Sequence, residues 1–384
     1  MAQSMFRSRV VIGLIAALLI AAPVRLSYAQ GRGPTGPLPD LLARLAHAME
    51  VQQRHTDRLL EIGDVVGTAV GLTDDGQPAV KVFTRAPRTA GIPAVLDGMP
   101  VVAEATGDFF ALPAGKNPGS RSRGSPAATA LATNPWYFDP PVPIGVSTGN
   151  GTICLAGTIG ARVKDSSKVY ALSNNHVYAR ENKASTGEPV YQPGLFDVNN
   201  DCSGVGSFTP IGKLANFETI KFGCKLIFNL FWSCDRTKDN TIDAAIAEVT
   251  TDPTLGLLVG KSTPGGVYGT PKSGSGTSAI LNQLVQKYGR TTGLTKGKIT
   301  GINATIIVGY TSGTARFVNQ VLISSPTGAS AFLQAGDSGS LVVTDDSVKN
   351  AVGLLFAGNG SGSQGIANSI GRVLSKFSVT IDGY

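Results

Sequence analysis

The chain has 384 residues, a formal charge of +7 at neutral pH, 42% hydrophobic and 15% charged residues, and 48 glycines. No Lys/Arg run with interleaved aromatics occurs, so the basic excess points to no nucleic-acid partner. Low charge with abundant glycine suits an all-β chain with many turns. A chain this long exceeds one hydrophobic core, so two or three domains are expected.

Arg7 and Arg9 precede an unbroken apolar run from Val10 to Val24, and Ser27-Tyr28-Ala29 follows. The run is short for a bilayer span and ends at Arg25. With small residues at the first and third positions of the tripeptide, residues 1–29 read as a cleaved signal peptide, with the mature chain starting at Gln30. Export to a secreted or periplasmic location is the expectation, with no membrane span left after cleavage. Removing Arg7, Arg9 and Arg25 takes the charge from +7 to +4.

Past a Gly/Pro-rich start, Leu41, Leu45, Met49, Leu59 and Leu60 recur at helical spacing among polar residues and predict one amphipathic helix. His47 and His55 ride on it as solvated surface residues. Alternating sequence from Val65 to Leu72, a Thr73-Asp74-Asp75-Gly76 turn and a run from Ala79 to Phe83 predict a β-hairpin. Another strand is expected at Val101–Ala105. Residues 30–112 read as a small, separate α+β domain.

Residues 113–143 are rich in Gly, Ser, Pro and Ala and read as a linker, where a propeptide boundary would fit. Short β-type runs follow: Ile153–Val163, Val169–Ser173, Ala244–Val249, Leu284–Tyr288, Lys298–Val308, Gln320–Ser324, Ser340–Val343 and Ala351–Phe356. Such a series without intervening helices predicts a sandwich or barrel. Ala367–Phe377 is expected to be helical. Cys154, Cys202, Cys224 and Cys234 read as disulfides in an exported chain. Of three possible pairings, Cys224–Cys234 with Cys154–Cys202 is expected. The chain has no Cys-x-x-Cys spacing for zinc, and no metal or organic cofactor is implied.

Gly336-Asp337-Ser338-Gly339-Ser340 is a tight polar turn leading into the apolar run Leu341-Val342-Val343. Such a turn lets the backbone N–H groups of Gly336 and Ser338 converge as an oxyanion hole. Ser338 would be the nucleophile, and it needs a base. Of the three histidines only His176 follows a β-type run, at the end of Tyr170-Ala171-Leu172-Ser173-Asn174-Asn175. A carboxylate must orient that imidazole. Asp243, flanked by apolar residues in Thr241-Ile242-Asp243-Ala244-Ala245-Ile246, fits better than Asp197, Asp201, Asp235 or Asp239, which lie in polar loop sequence.

Taken together, Ser-Asn-Asn-His-Val at 173–177, Asp-Ala-Ala-Ile at 243–246, Gly-Asp-Ser-Gly-Ser at 336–340 and Tyr-Gly-Arg-Thr-Thr-Gly at 288–293 resemble chymotrypsin-like serine peptidases. The match covers roughly 144–374, and the last segment is similar to that of bacterial alpha-lytic and streptogrisin types. The whole arrangement, N-terminal unit included, resembles bacterial trypsin-like peptidases related to the plant Narrow-leaf peptidase. The resemblance implies a mainly β fold with two six-stranded barrels, residues 144–262 and 263–384, and the triad in the crevice between them. It also implies hydrolysis of peptide or protein substrates through an acyl-enzyme on Ser338. A catalytically silent binding or adhesion module with the same fold is the alternative.

Two departures stand out against the animal members of that family. The histidine segment reads Asn-Asn-His-Val in place of Ala-Ala-His-Cys, and Ser340 ends the nucleophile turn where many members carry glycine. Family geometry puts the base of the substrate pocket at Phe332 and a wall at Phe356–Gly358, an arrangement without a carboxylate and suited to a small or apolar side chain. Asp337, buried behind the nucleophile, needs a cation. Lys287 or Arg290 is expected to supply it, so that the turn forms without N-terminal cleavage.

Overall fold

The computed structural model describes residues 38–111, 114–115, 136–199, 202, 210–227, 231–250, 259–326 and 331–384. The expected signal segment, the start at Gln30 and, of the expected linker 113–143, residues 113 and 116–135 lie outside them. No helix among the described residues is long and apolar enough to cross a membrane.

Helix α1 (Leu38–Leu60) turns Ala48, Val51, Leu59 and Leu60 onto the sheet that follows, as its spacing predicts. His47 reaches the Asp97 backbone oxygen, while the bond from His55 to the Asp97 carboxylate is the chief cause that holds that carboxyl below its usual range. Strands β1 (Val65–Leu72) and β2 (Pro78–Thr84) form the expected antiparallel hairpin. After the two-residue β3 (Val95–Leu96), strand β4 (Met99–Ala105) joins β2 in parallel. Two short strands, β5 (Phe109–Ala111) and β6 (Ala114–Gly115), pair only with later parts of the chain.

The next set is β7 (Ser147–Asn150), β8 (Leu155–Thr158), β9 (Ala161–Lys164), β10 (Val169–Ser173), β11 (Pro189–Tyr191), β12 (Gly212–Phe217) and, past a hairpin, β15 (Ala245–Val249). Antiparallel pairing runs β9-β10-β15-β12-β11-β7-β8. Only Ile159 and Gly160 separate β8 from β9, and both keep ladder bonds, to Val146 and Leu172. They make one bent strand that closes a six-stranded barrel. Its core holds Ile144, Ile159, Ala171, Leu214 and Ala247. Two single-turn helices, α2 (Asn175–Tyr178) and α3 (Phe196–Asn199), ride on it.

The hairpin is β13 (Cys224–Ile227) with β14 (Phe231–Cys234), which was not expected from its short apolar sequence. The second barrel comprises β16 (Leu284–Gly289), β17 (Gly293–Tyr310), β18 (Gly313–Ser324), β19 (Leu341–Thr344), β20 (Ala351–Asn359) and β21 (Gln364–Ser369). Each pairs antiparallel with the next around the ring β16-β17-β18-β21-β20-β19 and back to β16. Val285, Ile299, Ile323, Phe332, Val342 and Leu355 fill it. The expected C-terminal helix starts later than its sequence suggests: Ala367–Ser369 completes β21, α4 covers Ile370–Phe377, and β22 (Thr380–Ile381) returns to β9. Leu172, Ile246, Leu341, Leu354, Val373 and Phe377 form the core shared by the barrels.

Strands β17 and β18 outrun their barrel. Register shifts between Ile299 and Ile306, with Asn303 at φ 53°, bend the hairpin outward. Its far half receives β1 on one edge (Gly67↔Ile306, Val70↔Ile302) and Cys224 of β13 on the other. The N-terminal unit therefore shares a sheet with the second barrel. Both expected disulfides, Cys154–Cys202 and Cys224–Cys234, are formed.

Candidate active site

His176 sits in α2, the single turn that follows β10, with its side chain fully buried. Its Nδ1 lies 2.6 Å from Asp243 Oδ2, and its backbone N–H donates to Asp243 Oδ1 at 3.3 Å. That contact assigns the ring proton to Nδ1 and leaves Nε2 as the free lone pair. Nε2 is buried and has no hydrogen-bond partner among the described residues.

Asp243 enters from the residues just before β15, and both barrels hold it there. Its backbone oxygen accepts from Asn174 Nδ2 at 2.7 Å and Asn368 Nδ2 at 3.0 Å, while its N–H donates to Asn368 Oδ1 at 3.0 Å. Upstream, Asn240 bridges to β18 through Arg316 and Val318, and Gln320 donates to Thr241 O at 2.9 Å. Tyr310, at the end of β17, donates its hydroxyl to Asp243 Oδ2 at 2.9 Å. Burial first, and then the Asp243 charge, push that phenol well above its ordinary pKa. Tyr310, Asn174 and Asn368 are the site residues that the sequence reading missed. Asn174 is the one with a local signal, since it lies inside the histidine segment.

Ser338 lies in the turn between the barrels, where Gly336 and Gly339 both adopt φ 96°. A Cβ on Gly339 would fall 2.3 Å from Thr158 O, so glycine is needed for this close approach as well. Thr158 clamps the turn from the first barrel: its N–H donates to Ser338 O and its hydroxyl to Gly336 O, each at 2.8 Å. The same contacts bring Ser338 to the histidine side, for a Cβ on Gly157 would lie 2.6 Å from Val177 Cγ2 and 3.1 Å from Ser338 O. Ser338 Oγ donates weakly to Phe356 O at 3.4 Å. The N–H groups of Gly336 and Ser338 donate no hydrogen bond among the described residues, which leaves two donors at the turn.

Asp337 is fully buried and densely paired. Its oxygens accept from the N–H groups of Thr291 (2.8 Å), Thr292 (3.1 Å) and Gln334 (2.9 Å) and from the Thr292 hydroxyl (2.7 Å). Of the two cations expected there, Lys287 stands with Nζ 3.2 Å from Asp337 Oδ2. Burial pulls the Lys287 ammonium down from its ordinary pKa, and the Asp337 charge opposes that pull. Arg290 goes elsewhere: its Nε donates to Asp197 Oδ2 at 2.8 Å, and its guanidinium lies 4.5 Å from the Trp136 ring centre. Asp197 lies at 4% exposure rather than in a solvated loop, and Arg290 compensates its buried charge.

Phe332 is fully buried among the second-barrel core residues, with its ring against Gly297 and Gly365. Phe356 packs 4.7 Å from the Phe317 ring in a neighbouring cluster, and Gly358 pairs with Phe110 of β5. No group of three or more possible metal ligands occurs among the described residues.

No protein-family model matches the chain, and no curated protein does. Solved structures do. Thermobifida fusca Protease A aligns at TM-score 0.41 with 20% identity, over 63% of this chain and 99% of its own. Cellulomonas bogoriensis chymotrypsin aligns at 0.39 with 16% identity, over 64% and 100%. A Nocardiopsis protease aligns at 0.39 with 18% identity, over 62% and 98%. The fold is chymotrypsin-like on the chain's own strand pairings, which close two six-stranded antiparallel barrels around a shared core.

Proposed function

We propose that the protein is an exported serine endopeptidase in which Ser338 attacks the peptide carbonyl, His176 takes its proton and Asp243 orients the imidazole. The observation that carries this reading is the buried Asp243–His176 pair with Nε2 left unpartnered, on the same barrel as Thr158, which holds the Ser338 turn. Attack would move the Ser338 proton to Nε2, and the ring would later return it to the leaving amine. The N–H groups of Gly336 and Ser338 would meet the charge developing on the carbonyl oxygen. Asp337, paired with Lys287 and holding four hydrogen bonds, would fix the turn that aims them.

In this reading Asn368 and Tyr310 position Asp243 from the second barrel, so docking of the barrels and assembly of the triad become one event. Phe332, sealed in the second-barrel core, would bound a substrate pocket from behind rather than touch the substrate side chain. Export is supported by the residue 1–29 pattern together with the two disulfides. A small fluorophosphonate tests the nucleophile. Mass spectrometry is expected to find the adduct on Ser338 of the wild type, and to find none in Ser338→Ala or His176→Ala. A folded wild type that takes no label would leave a latent enzyme or a silent scaffold, and a folded chain starting near Ile144 that also takes none would leave the scaffold.

A further inference from the structure

Strand β5 pairs with no other strand of the N-terminal unit. It lies parallel to β17 (Val308↔Phe109, Gly309↔Phe110) and antiparallel to β20 (Asn359↔Phe109, Gly358↔Phe110, Ala357↔Ala111). As the chain advances from 109 to 111, its partners on β20 count down toward Phe356, whose carbonyl accepts from Ser338 Oγ. β5 therefore runs toward the candidate nucleophile. On the other side, Ala114 and Gly115 pair with Ala156 and Leu155 of β8. That strand also carries Thr158, whose N–H binds Ser338 O, and Gly157, which separates Ser338 from Val177. One short stretch is thus held by the second barrel before Ser338 and by the first barrel after it.

A peptide presented for cleavage at Ser338 has to be held in the same way, by main-chain pairing on both sides of the nucleophile, so that the bond between is fixed in place. On the peptidase reading given above, we infer that Phe109–Ala111 and Ala114–Gly115 occupy the substrate's own strand position and that the intact chain is self-occluded. Phe109 is the anchor. It is 1% exposed, stands edge-on to Phe83 at 6.2 Å and packs in one cluster with Phe317 and Phe356. Phe110 turns outward at 43% exposure. Asn359 Nδ2 pins the approach by donating to Thr106 O at 3.2 Å. The freed slot takes extended peptides with an aromatic or large aliphatic side chain at the Phe109 position. Because the occupant is tethered, it competes at an effective concentration on the order of millimolar, and micromolar peptide does not displace it.

The test uses full-length protein with two independent changes, Phe110→Pro, which removes a backbone donor from β5, and Phe109→Ala, which removes the anchor. In a Ser338→Ala background, amide exchange at Ala357–Asn359 is expected to speed up at least tenfold in both, with β10 unchanged as reference. A synthetic peptide of residues 107–115 is expected to restore protection. With Ser338 intact, both variants are expected to hydrolyse extended aromatic peptides at least tenfold faster than the wild type. Unchanged exchange at 357–359 in both variants, or a wild type as fast as they are on the same peptides, would overturn the occlusion. The exchange arm requires no catalysis, so expected exchange without hydrolysis or fluorophosphonate labelling would leave the occupied slot standing and remove the peptidase reading.

Discussion

Tyr310 shows how a single hydroxyl can tie chemistry to architecture. It shares Asp243 Oδ2 with His176 Nδ1, so part of the carboxylate's charge is spent on a phenol from the other barrel. A hydrogen bond to a charged group contributes about 1.5–3 kcal/mol. Tyr310→Phe is therefore expected to lower kcat/KM by roughly tenfold or more. A fluorophosphonate-labelling rate that falls while the urea-unfolding midpoint holds would separate this role from a purely structural one. Lys287 and Asp337 illustrate a different balance: both are fully buried, and the ion pair survives because five donors surround one carboxylate.

Among the elements, the β13–β14 hairpin and the β17–β18 extension join the N-terminal unit to the site. The hairpin packs Cys224, Trp232 and Cys234 into the cluster beneath α1 and pairs with Thr314 of β18. The chain then passes through Asn240, already bonded to Arg316, to reach Asp243. Cys224–Cys234 closes a loop of sequence separation 10, for which chain entropy gives about 2.5–3 kcal/mol. The Cys224→Ser, Cys234→Ser double variant is expected to lose stability of this order in urea unfolding. Hydrogen exchange is expected to accelerate first in β13, β14 and the adjoining end of β18.

For the molecule as a whole, burial reaches several tyrosines. Tyr178 and Tyr268 are displaced upward by desolvation, Tyr310 by desolvation and then Asp243, and Tyr170 is pushed up to about 12 by partial burial and Asp165. A phenol whose pKa rises on folding binds more protons in the native state above pH 10 than in the unfolded one. Its contribution is whole below pH 10 and is lost as pH climbs beyond that value. Stability is thus expected to fall steeply above about pH 10. Phenolate absorbance should appear together with unfolding rather than before it. Early titration of these tyrosines in folded protein would contradict the packing of the barrels.

Local pattern determined much of this protein. Apolar, β-branched runs mark β1, β2, β10 and β16 within a residue or two, and helical spacing marks α1, because the strands are buried along most of their length and the helix along one stripe. The Gly336–Ser340 turn was legible for a related reason, since closely approaching backbone restricts residue type at each position. Tertiary structure decided what local pattern cannot encode. Asp197 reads as a loop acid until Arg290 reaches it, and Tyr310 lies past the expected Lys298–Val308 run, where a bulged hairpin extends the strand and carries it to Asp243. Phe109–Ala111 reads as the tail of a separate unit, yet it pairs with residues about 200 and 250 positions away. Such pairings depend on which edges two distant barrels leave open, and no short window of sequence contains that information.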